Sequence, residues 1–221
     1  MRLKSLSAVA VFLLASASAA GAQVTQLTFE GLGNNEVIGN YYNGGAGGSF
    51  GITFGATALG LITSDAGGSG NFQGQPSGVT IMYFPSATNA FMDVAAGFDT
   101  GVSLFYSAIN LGGSLSVYDG FGGTGTLLGT LLLPVTPSTP GTPGCPSTGQ
   151  YCPFMPASLA FAGTARSVVF GGAANQIGYD NVTFGSTNAV TTPEPASVAL
   201  LATGLVGVFG VARRRRTARE S

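Results

Sequence analysis

The sequence predicts an all-β domain, an antiparallel β-sandwich or jelly roll, held between two targeting segments. Three observations carry that expectation. Ten short runs rich in Val, Ile, Leu, Phe and Tyr are each bounded by Gly, Pro, Asn or Asp, the pattern of strands and turns. One of them, Ser114-Leu115-Ser116-Val117-Tyr118, alternates strictly, as a strand with one buried face does. No window before residue 196 keeps a helical period with caps, which leaves many short strands joined by Gly-rich turns.

The chain opens with Arg2 and Lys4, an apolar run from Leu6 to Leu14, and small residues ending in Ala20-Gly21-Ala22. A basic start, a short apolar stretch and an A-x-A site make residues 1–22 a secretory signal peptide, cleaved after Ala22. An uncleaved anchor is the alternative, and the shortness of the apolar run argues against it.

The domain follows over residues 23–190. Strands are expected at Gln26–Phe29, Gly51–Phe54, Val79–Phe84, Phe91–Ala96, Val102–Ser107, Leu115–Tyr118, Leu127–Leu133, Ser158–Phe161, Ser167–Phe170 and Val182–Phe184. Asp119-Gly120 and the Gly-rich run to Gly125 mark a turn between two of them. Asn43 to Gly51 and Ser64 to Gly78 read as mobile loops. Residues 135–156 form a Pro-rich insertion holding Cys145 and Cys152. In an exported chain two Cys seven apart form a disulfide; the alternative is a reactive thiol pair.

Composition excludes much chemistry. There is no His, and two Cys cannot make a four-Cys zinc site, so Ser-His-Asp triads, Cys-His dyads and His-ligated metals are out. Between residues 23 and 192 the single base, Arg166, faces seven acids: Glu30, Glu36, Asp65, Asp93, Asp99, Asp119 and Asp180. The net charge there is −6, hidden in the whole-chain value of −1 because the other seven cations sit in the ends. One cation cannot neutralise several phosphates, so nucleic acid is excluded as a partner.

The last segment, residues 191–221, begins with Pro193-Glu194-Pro195. Residues 196–212 are uncharged and apolar. As a helix they span about 25 Å, the short limit for a bilayer core. Arg213, Arg214, Arg215 and Arg216 follow and hold that end in the cytoplasm as a stop-transfer cluster. A Pro-Glu-Pro turn, an apolar helix and a terminal Arg cluster in this order resemble the PEP-CTERM sorting signal. The resemblance implies an inner-membrane-anchored precursor in a Gram-negative bacterium that makes exopolysaccharide. It also implies an exosortase-type transpeptidase, which cuts near the motif and delivers the protein to the cell surface or the medium. A plain single-pass anchor is the competing reading.

Within the domain, Phe29-Glu30-Gly31 ends the first strand and Gly178-Tyr179-Asp180-Asn181-Val182 opens the last. First and last strands of such sandwiches lie side by side, so Glu30 and Asp180 can meet at one edge. With Asn43 and carbonyls of the Asn40–Gly44 loop they would make an oxygen site for one structural Ca2+. The run of "FEG", "YNGG…GITF" and "YDNVTF" looks like PEP-CTERM ectodomains and resembles calcium-stabilised carbohydrate-binding sandwiches. The competing reading makes Glu30 a solvated strand end and Asp180 a turn acceptor. Tyr41 and Tyr42 are the glycan-contact candidates, since on a strand one of two neighbours must face outward. The expectation is therefore a non-catalytic structural or glycan-associating module. Its rival is an extracellular glycosidase using a carboxylate pair, disfavoured by acids that sit in Gly-rich loops.

Overall fold

A computed structural model describes residues 24–108, 110–136, 141, 145 and 151–190. The expected signal peptide, the Pro-Glu-Pro motif, the expected membrane helix and the Arg cluster lie outside the described residues, as does most of the Pro-rich insertion. Among the described residues no helix is long and apolar enough to cross a membrane.

Thirteen strands appear in chain order: β1 (Thr25–Leu27), β2 (Asn43–Gly45), β3 (Gly48–Ser49), β4 (Ile52–Phe54), β5 (Leu59–Ile62), β6 (Thr80–Tyr83), β7 (Asn89–Phe98), β8 (Gly101–Ser107), β9 (Gly113–Tyr118), β10 (Leu127–Leu133), β11 (Met155–Ala160), β12 (Ala165–Gly172) and β13 (Gly178–Phe184). All pairings between them are antiparallel. All ten expected runs are strands, with ends shifted by a few residues. β2, β3 and β5 went unforeseen because Asn43-Gly44-Gly45, Gly48-Ser49 and Leu59-Gly60-Leu61-Ile62 carry glycines where a strand signal needs branched side chains. The Asn43–Gly51 segment is a β2–β3 hairpin rather than a free loop. Ser64–Gly78 is also built: it holds a 3-10 turn at Ser64–Ala66 and bridges from Thr63 to Gly70 and from Phe72 to Tyr151. The insertion ends earlier than expected, since Met155 and Pro156 already belong to β11, an edge strand where a proline costs no ladder bond.

One sheet runs β11-β8-β13-β6-β5, with β1 also on β13; the second runs β10-β9-β12-β7-β4. They pack face to face. The rings of Phe170 (β12) and Tyr179 (β13) meet across the layers at 5.1 Å, and those of Phe98 (β7) and Phe184 (β13) at 5.5 Å. Leu27, Met82, Leu104, Leu115, Val117, Val168 and Val182 fill the same core. β13 organises its sheet. β6 pairs with it at Tyr179, and β1 pairs with it from Val182 to Phe184, so two strands share one side of it end to end. The register slips by one residue between Asp180 and Thr183, where Asn181 takes a left-handed backbone, φ 49°. Asn tolerates that conformation. This bulge lets Tyr179, Val182 and Phe184 all reach the core while Asp180 turns away from it.

A second layer covers the outside of the six-stranded sheet. Phe72, Ile81, Phe105 and Phe154 cluster there, with Leu61, Tyr151 and Ala189 against them. Tyr151 is laced to the 64–78 segment, its N–H on Asn71 O at 2.8 Å and its carbonyl accepting from Gln73 N at 3.2 Å. The Cys145–Cys152 disulfide is formed and both cysteines are buried.

Candidate functional site

The two carboxylates singled out in the sequence do converge, in the interior of the six-stranded sheet rather than at an edge. Both act on one segment, residues 77–80, which leads into β6. β1 ends at Leu27, and Phe29 adopts a left-handed backbone, φ 62°, which swings Glu30 over the start of β6. The Glu30 carboxylate accepts from Val79 N at 3.0 and 3.1 Å and from Thr80 N at 2.8 Å. Gly78 makes this approach possible, because a Cβ there would overlap the Glu30 carboxyl group. Asp180 sits beyond it. Its Oδ2 accepts from Ser77 N at 3.1 Å, both oxygens accept from Ser77 Oγ at 3.0 Å, and Oδ1 accepts from Asn181 N at 2.7 Å.

Asp180 is fully enclosed, 0% exposed. Burial pushes its carboxyl up to about 8; the bonds from Asn181 and Ser77 pull the other way, and the Glu30 charge adds to the rise. Among the described residues no cation stands by. Arg166, the sole Lys or Arg between residues 5 and 212, lies over the Phe121 ring at 5.3 Å.

Tyr41 and Tyr42 are in a turn, not on a strand, so alternation does not apply; Tyr42 packs inward and Tyr41 lies half-buried against the core. Tyr42 is 4% exposed and its ring meets Phe29, Phe54, Phe50 and Tyr41, leaving no face for a sugar. Burial raises its phenol well above the usual range. Its hydroxyl accepts from Phe29 N at 2.8 Å, and the Tyr41 hydroxyl donates to Glu30 O at 2.8 Å. The turn thus docks on Phe29 and Glu30 through its phenols. Its carbonyls are spent within the hairpin, on Asn43 N, Gly47 N and Phe50 N. Asn43 is exposed and makes no bond to either carboxylate, so the structure does not bring it to the pair. Among the described residues no group of three or more His, Cys, Asp or Glu could hold a metal. Asn181, which heads a glycosylation sequon, is buried.

The other acids follow the same habit. Glu36 accepts from Gly33 N, Asp65 from Gln73 Nε2, Asp93 from Gly122 N, Asp99 from Thr100 Oγ1 and Asp119 from Thr126 N. The Asp119 carboxyl is lowered mainly by that Thr126 N–H. All seven carboxylates of the domain are acceptors that tie down loops. Ser77 was missed by sequence reasoning; Pro76-Ser77-Gly78 reads only as a turn.

Two hollows remain. One of about 30 Å³ among Leu61, Phe72, Ile81, Tyr83 and Tyr151 has room for a water and not for a sugar ring. A wider one of about 330 Å³ lies beside it, lined by Asp65, Phe72, Gln73, Gln75 and Val79.

The fold is thus an all-β domain of antiparallel sheets whose acids serve structure. The chain is placed further by its end: residues 191–216 match the PEP-CTERM protein-sorting motif. That motif marks an exported protein, the expectation from Pro193-Glu194-Pro195, the apolar run and the Arg cluster. No curated protein matches the sequence. Among solved structures, the K2 cleaved adhesin domain of Lys-gingipain is similar at 13% identity and a TM-score of 0.47, over 73% of this chain and 99% of that one. A family 6 carbohydrate-binding module is similar at 14% and 0.37, over 74% and 93%. The carbohydrate-binding module of Cellvibrio mixtus lichenase 5A is similar at 16% and 0.35, over 60% and 89%. At such scores these likenesses assign no activity.

Proposed function

We propose that this chain is an exported, exosortase-processed protein of a Gram-negative bacterium. Its two-sheet domain serves without catalysis as a structural or glycan-associating module at the cell surface or in the exopolysaccharide matrix. The observation that carries the reading is the PEP-CTERM protein-sorting motif at residues 191–216, which follows a two-sheet domain whose last strand ends at Phe184. The engagement of every carboxylate supports the non-catalytic part. A glycosidase pair needs one raised acid and one ionised partner reaching the sugar. Asp180 has the raised pKa, but it has no exposed surface from which to reach a substrate. The test is the intact mass of protein taken from native envelope and medium, followed by affinity electrophoresis on exopolysaccharide. A chain from near Gln23 to near Pro193 that is retarded by the polymer is the expected result. A chain still ending at Ser221 would sink the sorting reading.

One observation favours a structural Ca2+ as well. Two carboxylates act on one four-residue segment, one of them fully buried, with no basic residue among the described ones to balance them. Hard oxygen donors suit a divalent cation, which would take the place of the Asp180 proton; Glu30 and Asp180 would hold it, and Asn43 would not. Calcium is expected to raise the melting temperature and chelation to lower it. Asp180→Asn is expected to abolish the response. An unchanged melting curve in excess calcium would remove this reading.

A further inference from the structure

The chain does not leave the domain when β13 ends. Gly185 N bonds to Gly101 O at 2.9 Å, and Asn188 N bonds to Ser186 Oγ at 3.0 Å. Residues 187–189 line a cleft with Pro156, Ala157 and Ser158 of β11, and Ala189 packs on the outer cluster of Phe72, Ile81, Phe105 and Phe154. The Val190 carbonyl is then held from two sides, by Gln26 Nε2 of β1 at 2.6 Å and by Asn181 Nδ2 of β13 at 2.9 Å. Residues 185–190 are a strap across the outer face of the six-stranded sheet. The fastening is imperfect, since Oε1 of the same Gln26 amide is enclosed with no hydrogen-bond partner.

Only Thr191 and Thr192 separate the strap from Pro193. Two residues reach at most about 7 Å. Enclosed grooves that recognise an extended segment do so through main-chain bonds and alternate side chains over several residues. With the strap fastened, the backbone just before the motif is already bonded to β1 and β13.

We propose that the strap gates processing: the membrane-embedded transpeptidase acts on the state in which Val190 has left Gln26 and Asn181. The proposal rests on the sorting reading above. The test follows full-length precursor by pulse-chase in the native host, with the product's mass read at each time. Gln26→Leu removes one of the two donors to Val190. It is expected to speed conversion by roughly two- to tenfold, the weight of one net hydrogen bond. Should that variant fail to fold, Ala189→Asp, which expels the strap from the apolar cluster, is expected to act in the same direction. A four-residue Gly-Ser insertion between Val190 and Thr191, which lengthens the tether with the strap intact, is expected to leave conversion near the wild-type rate. Conversion of a folded strap variant at or below the wild-type rate overturns the gate, even where the insertion is faster. A wild-type chain that keeps its tail overturns the sorting reading instead, which separates the two failures.

Discussion

The two sheets of this domain are built from similar strands and live in different surroundings. In the five-stranded sheet, β9 and β10 alternate between core and solvent, and Leu132 stands 76% exposed. In the six-stranded sheet, β6, β8 and β13 are buried at every residue. The difference is not composition. β8 reads Val102-Ser103-Leu104-Phe105-Tyr106-Ser107, a strand with serines on one face, yet Ser103 and Ser107 are enclosed and their hydroxyls lack partners. Chain from elsewhere packs on the outer face of this sheet: Phe72 of the 64–78 segment, Tyr151 and Phe154, and Ala189 of the strap. The lesson is that a sheet's solvent face is decided by what its connections do next. Here Gly- and Pro-rich connections do the covering that helices perform in other two-layer folds.

That contrast can be broken by experiment. Removing the outer layer's most buried ring, Phe72→Ala, is expected to cost about 3–5 kcal/mol in urea unfolding, the cost of a core truncation. A value near that of a surface change would mean the cover is ornamental. Replacing Cys145 and Cys152 together by Ser is expected to cost about 2–3 kcal/mol, the loop-closure value for a short bridge; denaturant midpoints of the two proteins check it.

Asp180 sharpens the comparison through pH. Its folded carboxyl sits near 8 against an ordinary 3.8, so the folded state keeps a proton that the unfolded chain gives up. In calcium-free buffer that contribution is complete below pH 4 and is lost as the pH climbs to 8. A steady decline across that window is expected, and Asp180→Asn should flatten it. A wild-type melting temperature that holds level across this window would contradict the buried carboxyl. Last and smallest, Leu132→Ser on the open face of β10 should change stability by less than about 0.5 kcal/mol, measured in the same urea series.

Much of the architecture was legible in one sequence because it is local. The strands at Gly113–Tyr118 and Leu127–Leu133 follow from apolar spacing and the Asp119-Gly120 turn. The pairing of Cys145 with Cys152 follows from export and proximity in chain. The candidate site was legible in part. Glu30 and Asp180 were brought to one place because first and last strands pair. Tyr41 and Tyr42 were misjudged, since period-two reasoning holds only where the backbone is extended, and theirs turns. Ser77 left no signal at all; a serine in a turn looks the same whether it faces water or a buried carboxylate.

By itself, the sequence determined the strand content, the covalent bridge, the charge balance and the address written at residues 191–216. These depend on near neighbours and on counts. Only the tertiary structure decided which sheet face is wet, that residues 185–190 lie back over β1 and β13, and that Asp180 is sealed from water. Those are contacts between residues as much as 164 positions apart. They are settled by how much apolar surface the connections can cover and how many backbone groups they can satisfy, which no single window of sequence records.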